Sequence, residues 1–78
     1  FDGKTHLNDF LKVLSFDEDY LDEAKGEAET LAGLMLEIRK DFLRRGETLA
    51  YRRLTLRVDA MDGRRIDKIR VTVADSED

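Results

Sequence analysis

Apolar residues recur along this chain on two different periods. Leu7, Phe10, Leu11 and Leu14 follow the i, i+3, i+4, i+7 spacing of one helix face, and Leu31, Leu34, Met35 and Ile38 repeat it. From Glu47 onward the period becomes two. Leu49 and Tyr51, then Leu54, Leu56, Val58 and Ala60, then Ile69, Val71 and Val73 alternate with residues such as Thr55, Arg57, Asp59, Arg70 and Thr72. Such one-sided alternation fits antiparallel strands with one face on a core and the other in water. The pattern predicts an α+β fold: two helices packed on a mostly antiparallel β-sheet that ends in a β-hairpin.

The chain has no proline, so glycine and charge supply the punctuation. Asp2-Gly3 signals a turn, and Thr5 or His6 begins the first helix, which should end near Ser15. A threonine there can accept a hydrogen bond from the unpaired amides of the first turn. Thr30 is the expected N-cap of the second helix, which should stop around Lys40. Gly33 lies inside that helix at a cost of about 1 kcal/mol relative to Ala, so a close approach by another backbone is expected there. The polar segment between the helices should hold a turn of helix near residues 20–24, tacked to the core by Phe16, Tyr20 and Leu21. Gly46 punctuates the loop before the strands.

Register can be tested on the last hairpin. With Asp62-Gly63 as a two-residue turn, Leu56 faces Ile69 and Leu54 faces Val71. Closer to the turn, however, Val58 would face Asp67, and Ile66 would face Asp59. Either Ile66 points outward, or a bulge between Ile66 and Ile69 re-phases the strand with a longer turn; the bulge is favoured, because it sets Ile66 beside Val58 and Ala60.

Seventy-eight residues make one small domain with a modest core. There is no cysteine, which removes disulfides and thiolate metal sites from consideration. No apolar run reaches the roughly 18 residues of a membrane span. The start, "FDGKTHLNDF", is neither a signal peptide nor an initiator methionine, and it reads as the edge of a trimmed fragment. Residues 1–74 read as the domain and 75–78 as an acidic tail. The net charge of −4 conceals two blocks. Asp17 to Glu29 sums to −6, and Arg39 to Arg70 sums to +6. They read as a dipolar surface that attracts a partner or a second copy, so either homodimerisation or docking onto a neighbouring domain is expected. A pI near 5.0 and the lack of aromatic interleaving argue against nucleic acid.

Four stretches, "DGKTHLNDF", "TLAGLMLEI", "RRGETLAYRRLTLRV" and "DGRRIDKIRV", resemble in order and spacing the C-terminal transporter-associated domain of the CorC/HlyC family. Two departures stand out: "KDFLRRGE" lacks the family's usual proline, and Arg52-Arg53 replaces a turn that often contains glycine. The family usually has a strand just before the position of Asp2-Gly3, of which Phe1 would be the last residue. The resemblance implies a non-catalytic, regulatory accessory domain that modulates transport of ion substrates. Its hosts are similar to magnesium and cobalt efflux proteins or hemolysin-like membrane proteins. Such a domain follows a transmembrane domain and a pair of CBS modules in the same polypeptide, on the cytoplasmic face of the membrane. The resemblance also implies similarity to part of the flavin-binding PCMH-like fold, and from that a link to flavin adenine dinucleotide.

The residues themselves offer two sharper chemistries. Arg64 and Arg65, or Arg52 and Arg53, are candidates for clamping a pyrophosphate. No G-x-G-x-x-G or P-loop pattern accompanies them, and neighbouring strand residues point to opposite faces. Turn-flanking arginines paired with acids are the plainer reading, with no resident cofactor. Asp17, Glu18, Asp19 and Asp22 offer hard oxygen ligands for calcium or magnesium. An EF-hand starting at Asp17 fails, because Asp22 and Ala28 occupy its glycine and glutamate places. A solvated acidic loop is the plainer reading there. His6 is the only histidine. No serine has a base nearby in the pattern, which leaves no catalytic apparatus. Gly3, Thr30, Gly33, Gly46 and Gly63 are assigned structural roles.

Overall fold

The structure, a computed structural model, describes residues 1–74. The acidic tail expected at 75–78 lies outside the described residues. Helices α1 (Leu7–Leu14), α2 (Asp22–Lys25) and α3 (Leu31–Arg39) precede strands β1 (Thr48–Tyr51), β2 (Leu54–Asp62) and β3 (Arg65–Val73). The strands form one antiparallel sheet in the order β1-β2-β3. The α+β architecture is as expected, but the helices among the described residues number three rather than two. The added one is the four-residue α2, where a single helical turn was expected.

The two periods explain the core. Leu7, Phe10 and Leu11 of α1 and Leu31, Leu34 and Met35 of α3 turn one face inward. They meet Leu54, Leu56, Val58, Ile66 and Ile69 of the sheet, and Leu21 and Leu43 close the sides. The opposite sheet face is solvated. There Arg57 and Arg70 are cross-strand partners, and Asp59 lies 4.0 Å from the first and 3.4 Å from the second.

Helix starts leave amides without partners in their own helix. Here the two segments that lead into α1 and α3 satisfy each other. Leu7 N–H donates to the Glu29 carbonyl, Leu31 N–H to that of Thr5, and Ala32 N–H to that of Gly3. His6 and Thr30 form an isolated antiparallel bridge. Thr30 caps α3 as expected, its hydroxyl accepting from Gly33 N–H at 3.2 Å. The N-cap of α1 is His6, with no side-chain cap, so the capping role open to Thr5 is taken by backbone. Ser15 and Lys40 end α1 and α3 in the left-handed conformation, where the sequence put those ends.

Two close approaches differ from expectation. A Cβ on Gly33 would come 3.2 Å from the Ala28 Cβ, so its neighbour is the turn before its own helix rather than another element. The tighter site is Gly3. It is buried, and a Cβ there would collide with the Ile66 carbonyl oxygen. That closeness lets Gly3 N–H donate to the Asp67 carbonyl at 2.8 Å. Phe1 and Ile69 exchange two further hydrogen bonds, so the chain start lies along the outer edge of β3. Beside it, the Asp2 carboxylate accepts from Lys4 N–H at 3.0 Å and from the Lys68 ammonium at 3.3 Å. The amide first, and the ammonium second, hold its pKa below the usual aspartate value.

The hairpin register corrects the expected one by two residues. Leu56 pairs with Val71 and Leu54 with Val73, while Val58 takes Ile69. The turn is Gly63-Arg64, not Asp62-Gly63. Gly63 has φ +61° at the first central position, the glycine place of a type II′ turn, which leaves Asp62 as the last residue of its strand. An irregularity does fall between Ile66 and Ile69, but it is doubled. Asp59 is skipped on β2 and Asp67 on β3, so the two shifts cancel and Ile66 faces Met61.

Candidate functional site

The two ends of the long β2 strand carry the four arginines singled out in the sequence. Nine residues at about 3.3 Å each put the two turns roughly 25–30 Å apart, so Arg52 and Arg53 cannot act together with Arg64 and Arg65.

At the β1–β2 turn the arginines are built into the structure. Arg52 has φ +54° and sets its guanidinium 4.3 Å from the centre of the Tyr20 ring. Arg53 N–H donates to the Tyr20 hydroxyl at 3.1 Å, and its side chain donates to the Ala74 carbonyl at 3.0 Å. Tyr20 also packs on Phe16 with ring centres 4.5 Å apart, and meets Tyr51 edge-on at 6.4 Å. This is how the polar connection is fastened to the sheet. Asp17, Asp19 and Glu23 line an open basin here with Tyr20, Tyr51 and Arg52.

Of the four carboxylates expected to offer a metal site, only Asp17 and Asp19 share this basin. Asp22 pairs with Lys25 at 3.3 Å, and Glu18 is exposed and does not line the basin. Among the described residues no group of three or more His, Asp or Glu side chains is arranged to hold a metal ion.

The other end is built differently. The α3–β1 loop brings Phe42, Leu43, Arg44 and Arg45 against Met61, Gly63 and Arg64 of the hairpin. Together they form an open, mainly apolar groove of about 480 Å³. Leu43 is its buried root, whereas Phe42 is 75% exposed, the most exposed large apolar side chain among the described residues. Two contacts shape the loop. Glu47 sits 3.2 Å from the Arg39 guanidinium and accepts from Arg44 N–H at 3.3 Å. Gly46 N–H then donates to the Val58 carbonyl, so the loop turns tightly into β1. The guanidinium groups of Arg44, Arg45, Arg64 and Arg65 make no ion pair or hydrogen bond among the described residues. Arg64 was foreseen; Phe42, Arg44 and Arg45 were not singled out. Their signal was present, since "DFLRRGE" sets an aromatic and two arginines in a loop, but only the fold brings them to the hairpin turn.

Comparison with known proteins places nearly all of the chain. The sequence profile of CorC_HlyC, the transporter-associated domain, matches residues 1–75. The chain belongs to this family. The family is non-catalytic. Among solved structures, the transporter-associated domain of a CBS domain protein from Porphyromonas gingivalis is 36% identical, with TM-score 0.89, over 96% of this chain and 86% of that one. A CorC_HlyC domain of a Xylella fastidiosa Temecula1 hemolysin, in complex with Mg++ and Mn++, is 23% identical with TM-score 0.76, over 96% of this chain and 85% of that one. A CorC_HlyC domain from Haemophilus ducreyi is 22% identical with TM-score 0.74, over 97% and 87%. The last two likenesses speak for the fold alone. No curated protein matches the chain. Among the described residues no helix is long and apolar enough to cross a membrane.

Proposed function

We propose that the domain is a regulatory module of a membrane ion transporter, similar to magnesium and cobalt efflux proteins. It lies on the cytoplasmic side and acts through contacts with a CBS pair and a transmembrane domain of the same polypeptide. The observation that carries this reading is the 36% identical relative, which is itself a domain of a CBS domain protein. The Xylella relative was solved with Mg++ and Mn++. In this chain the acids of the 17–22 segment serve as surface charge, and the ion is cargo of the membrane domain. The groove around Phe42 supports contact-based regulation, because exposed aromatic and arginine side chains are what interfaces favour. A segment running ahead of Phe1 would extend the ladder that Phe1 begins on β3, which leaves residues 71–73 open to it.

The test removes this domain from the full-length protein and measures efflux of Mg²⁺ and Co²⁺ from loaded cells. Flux that persists but no longer responds to cellular ion level supports regulation. Flux and response identical to the intact protein would end the proposal.

A second reading has one observation in its favour. The exposed Phe42 ring between Arg44, Arg45 and Arg64 suits an aromatic ligand bearing phosphates, such as flavin adenine dinucleotide. Titration of the chain with the flavin, followed by fluorescence, decides it: saturable binding lost in Arg64→Ser supports the sensor, and no binding removes it.

A further inference from the structure

Sheet edges with free backbone groups are templates for pairing, and proteins protect them with charge, proline or a covering segment. The two edges of this sheet are treated differently. The outer edge of β3 is partly covered by residues 1–3. The edge strand β1, "TLAY", carries no charge and no proline, and its Thr48 and Ala50 side chains are exposed. Val58 N–H donates to the Glu47 carbonyl at 3.0 Å. Parity in an antiparallel ladder then turns the backbone groups of Leu49 and Tyr51 toward β2, and those of Thr48 and Ala50 toward open solvent.

The arginines of the apolar groove and the acidic basin flank this same strand. Arg44 and Arg45 lie just ahead of its start and are joined by Arg64 around Phe42. At its end lies the basin of Asp17, Asp19 and Glu23, in which Arg52 is the one cation among the described residues and rests on the Tyr20 ring. Among the described residues, neither the three acids nor the three loop arginines form an ion pair. When two copies of a strand pair antiparallel, the start of each meets the end of the other. A two-fold axis at Leu49 sets Thr48 opposite Ala50 of the second copy, the two positions whose backbone groups are open. The same operation carries the arginine groove of each copy to the acidic basin of the other.

We propose that two copies of this chain pair through β1 across such an axis, joining two three-stranded sheets into one of six strands. The interface is isologous and closes as a dimer, with the charge contact made twice. A second copy is the favoured occupant because both complementary surfaces are on this chain and one symmetry operation joins them. The proposal rests on the reading of the domain as an interaction module. It is separable from the transport role, since it is tested on the isolated chain without a flux measurement.

The experiment is sedimentation velocity of the chain at low and high salt, with two charge-swapped variants. One carries Arg44→Glu and Arg45→Glu, the other Asp17→Lys and Asp19→Lys. All four positions are exposed, and a thermal melt verifies that each variant folds. The wild type should dimerise at low salt and dissociate as salt screens the contacts. Each variant alone should be a monomer, and their mixture should form a heterodimer, because both contacts are then again of opposite sign. Since the sequence has no cysteine, Leu49→Cys gives a readout independent of the swaps. Mild oxidation should link two copies at the axis, while Val13→Cys, exposed on α1, should give no such link. A wild type monomeric at every concentration in low salt overturns the proposal. So does association untouched by either swap, or a mixture that stays monomeric.

Discussion

The two turns that bound β2 both present arginines, yet they do opposite things. At the β1–β2 turn the side chains are part of the fold: Arg52 lies on Tyr20, and Arg53 is tied to Tyr20 and Ala74. At the β2–β3 turn, Arg64 joins Arg44 and Arg45 around an exposed phenylalanine, and among the described residues the side chains of Arg64 and Arg65 make no ion pair or hydrogen bond that stabilises the hairpin. The difference arises from what lies underneath. The first turn has an aromatic platform supplied by the connection after α1, and the second has only a loop. Residue type therefore does not decide an arginine's role; the acceptor or ring within its reach does.

This contrast can be broken first in the core. Leu54→Ala, at the packed end where Leu54 is fully buried, should cost about 2–5 kcal/mol by chemical denaturation. Met61→Ala, half-buried at the open end, should cost only about 1 kcal/mol. Equal losses would mean that the two ends are equally packed. Next comes the backbone seam that fastens the hairpin to the chain start. Gly3→Ala should destabilise by about 1–3 kcal/mol through overpacking against the Ile66 carbonyl, read as a fall in melting temperature. An unchanged melt would show that the seam yields freely. Smaller again, Tyr20→Phe keeps the ring and removes only the acceptor of Arg53 N–H, so it should cost about 1 kcal/mol. Least of all, Phe42→Ala and Arg64→Ala should each change stability by less than about 0.5 kcal/mol, as exposed positions without partners do. A larger loss in either would place that residue in the fold rather than at an interface.

The helical faces and their ends were legible in the sequence, because helix periodicity, the Thr30 cap and the stops near Ser15 and Lys40 are local properties. The core faces of the strands were legible for the same reason. The hairpin register was not. Asp62-Gly63 carries the commonest turn signal, but a glycine at the first central position serves a type II′ turn equally well and moves the partners by two. Parity cannot detect that shift, since it exchanges Ile69 for Val71 on the same face. Gly3 was flagged as a turn residue, while its reason, contact with Ile66 more than sixty positions away, is visible only in the fold. The candidate arginines were half legible. Arg64 was identified, but Arg44 and Arg45 belong with it through tertiary structure, and Arg52 and Arg53 are separated from it by the length of β2.

The central claim is that the exposed arginines at the open end of the sheet serve recognition, while the fold there rests on Leu43 and Met61. It is tested most directly by replacing Arg44, Arg45 and Arg64 together with serine in the full-length protein, and measuring how Mg²⁺ and Co²⁺ efflux responds to ion load. Regulation of efflux should be lost as fully as when the whole domain is deleted, while the same substitutions leave the melting temperature of the isolated chain unchanged at high salt, where the charge contacts are screened. Efflux that responds as in the wild-type protein, or a domain that no longer folds, would contradict it.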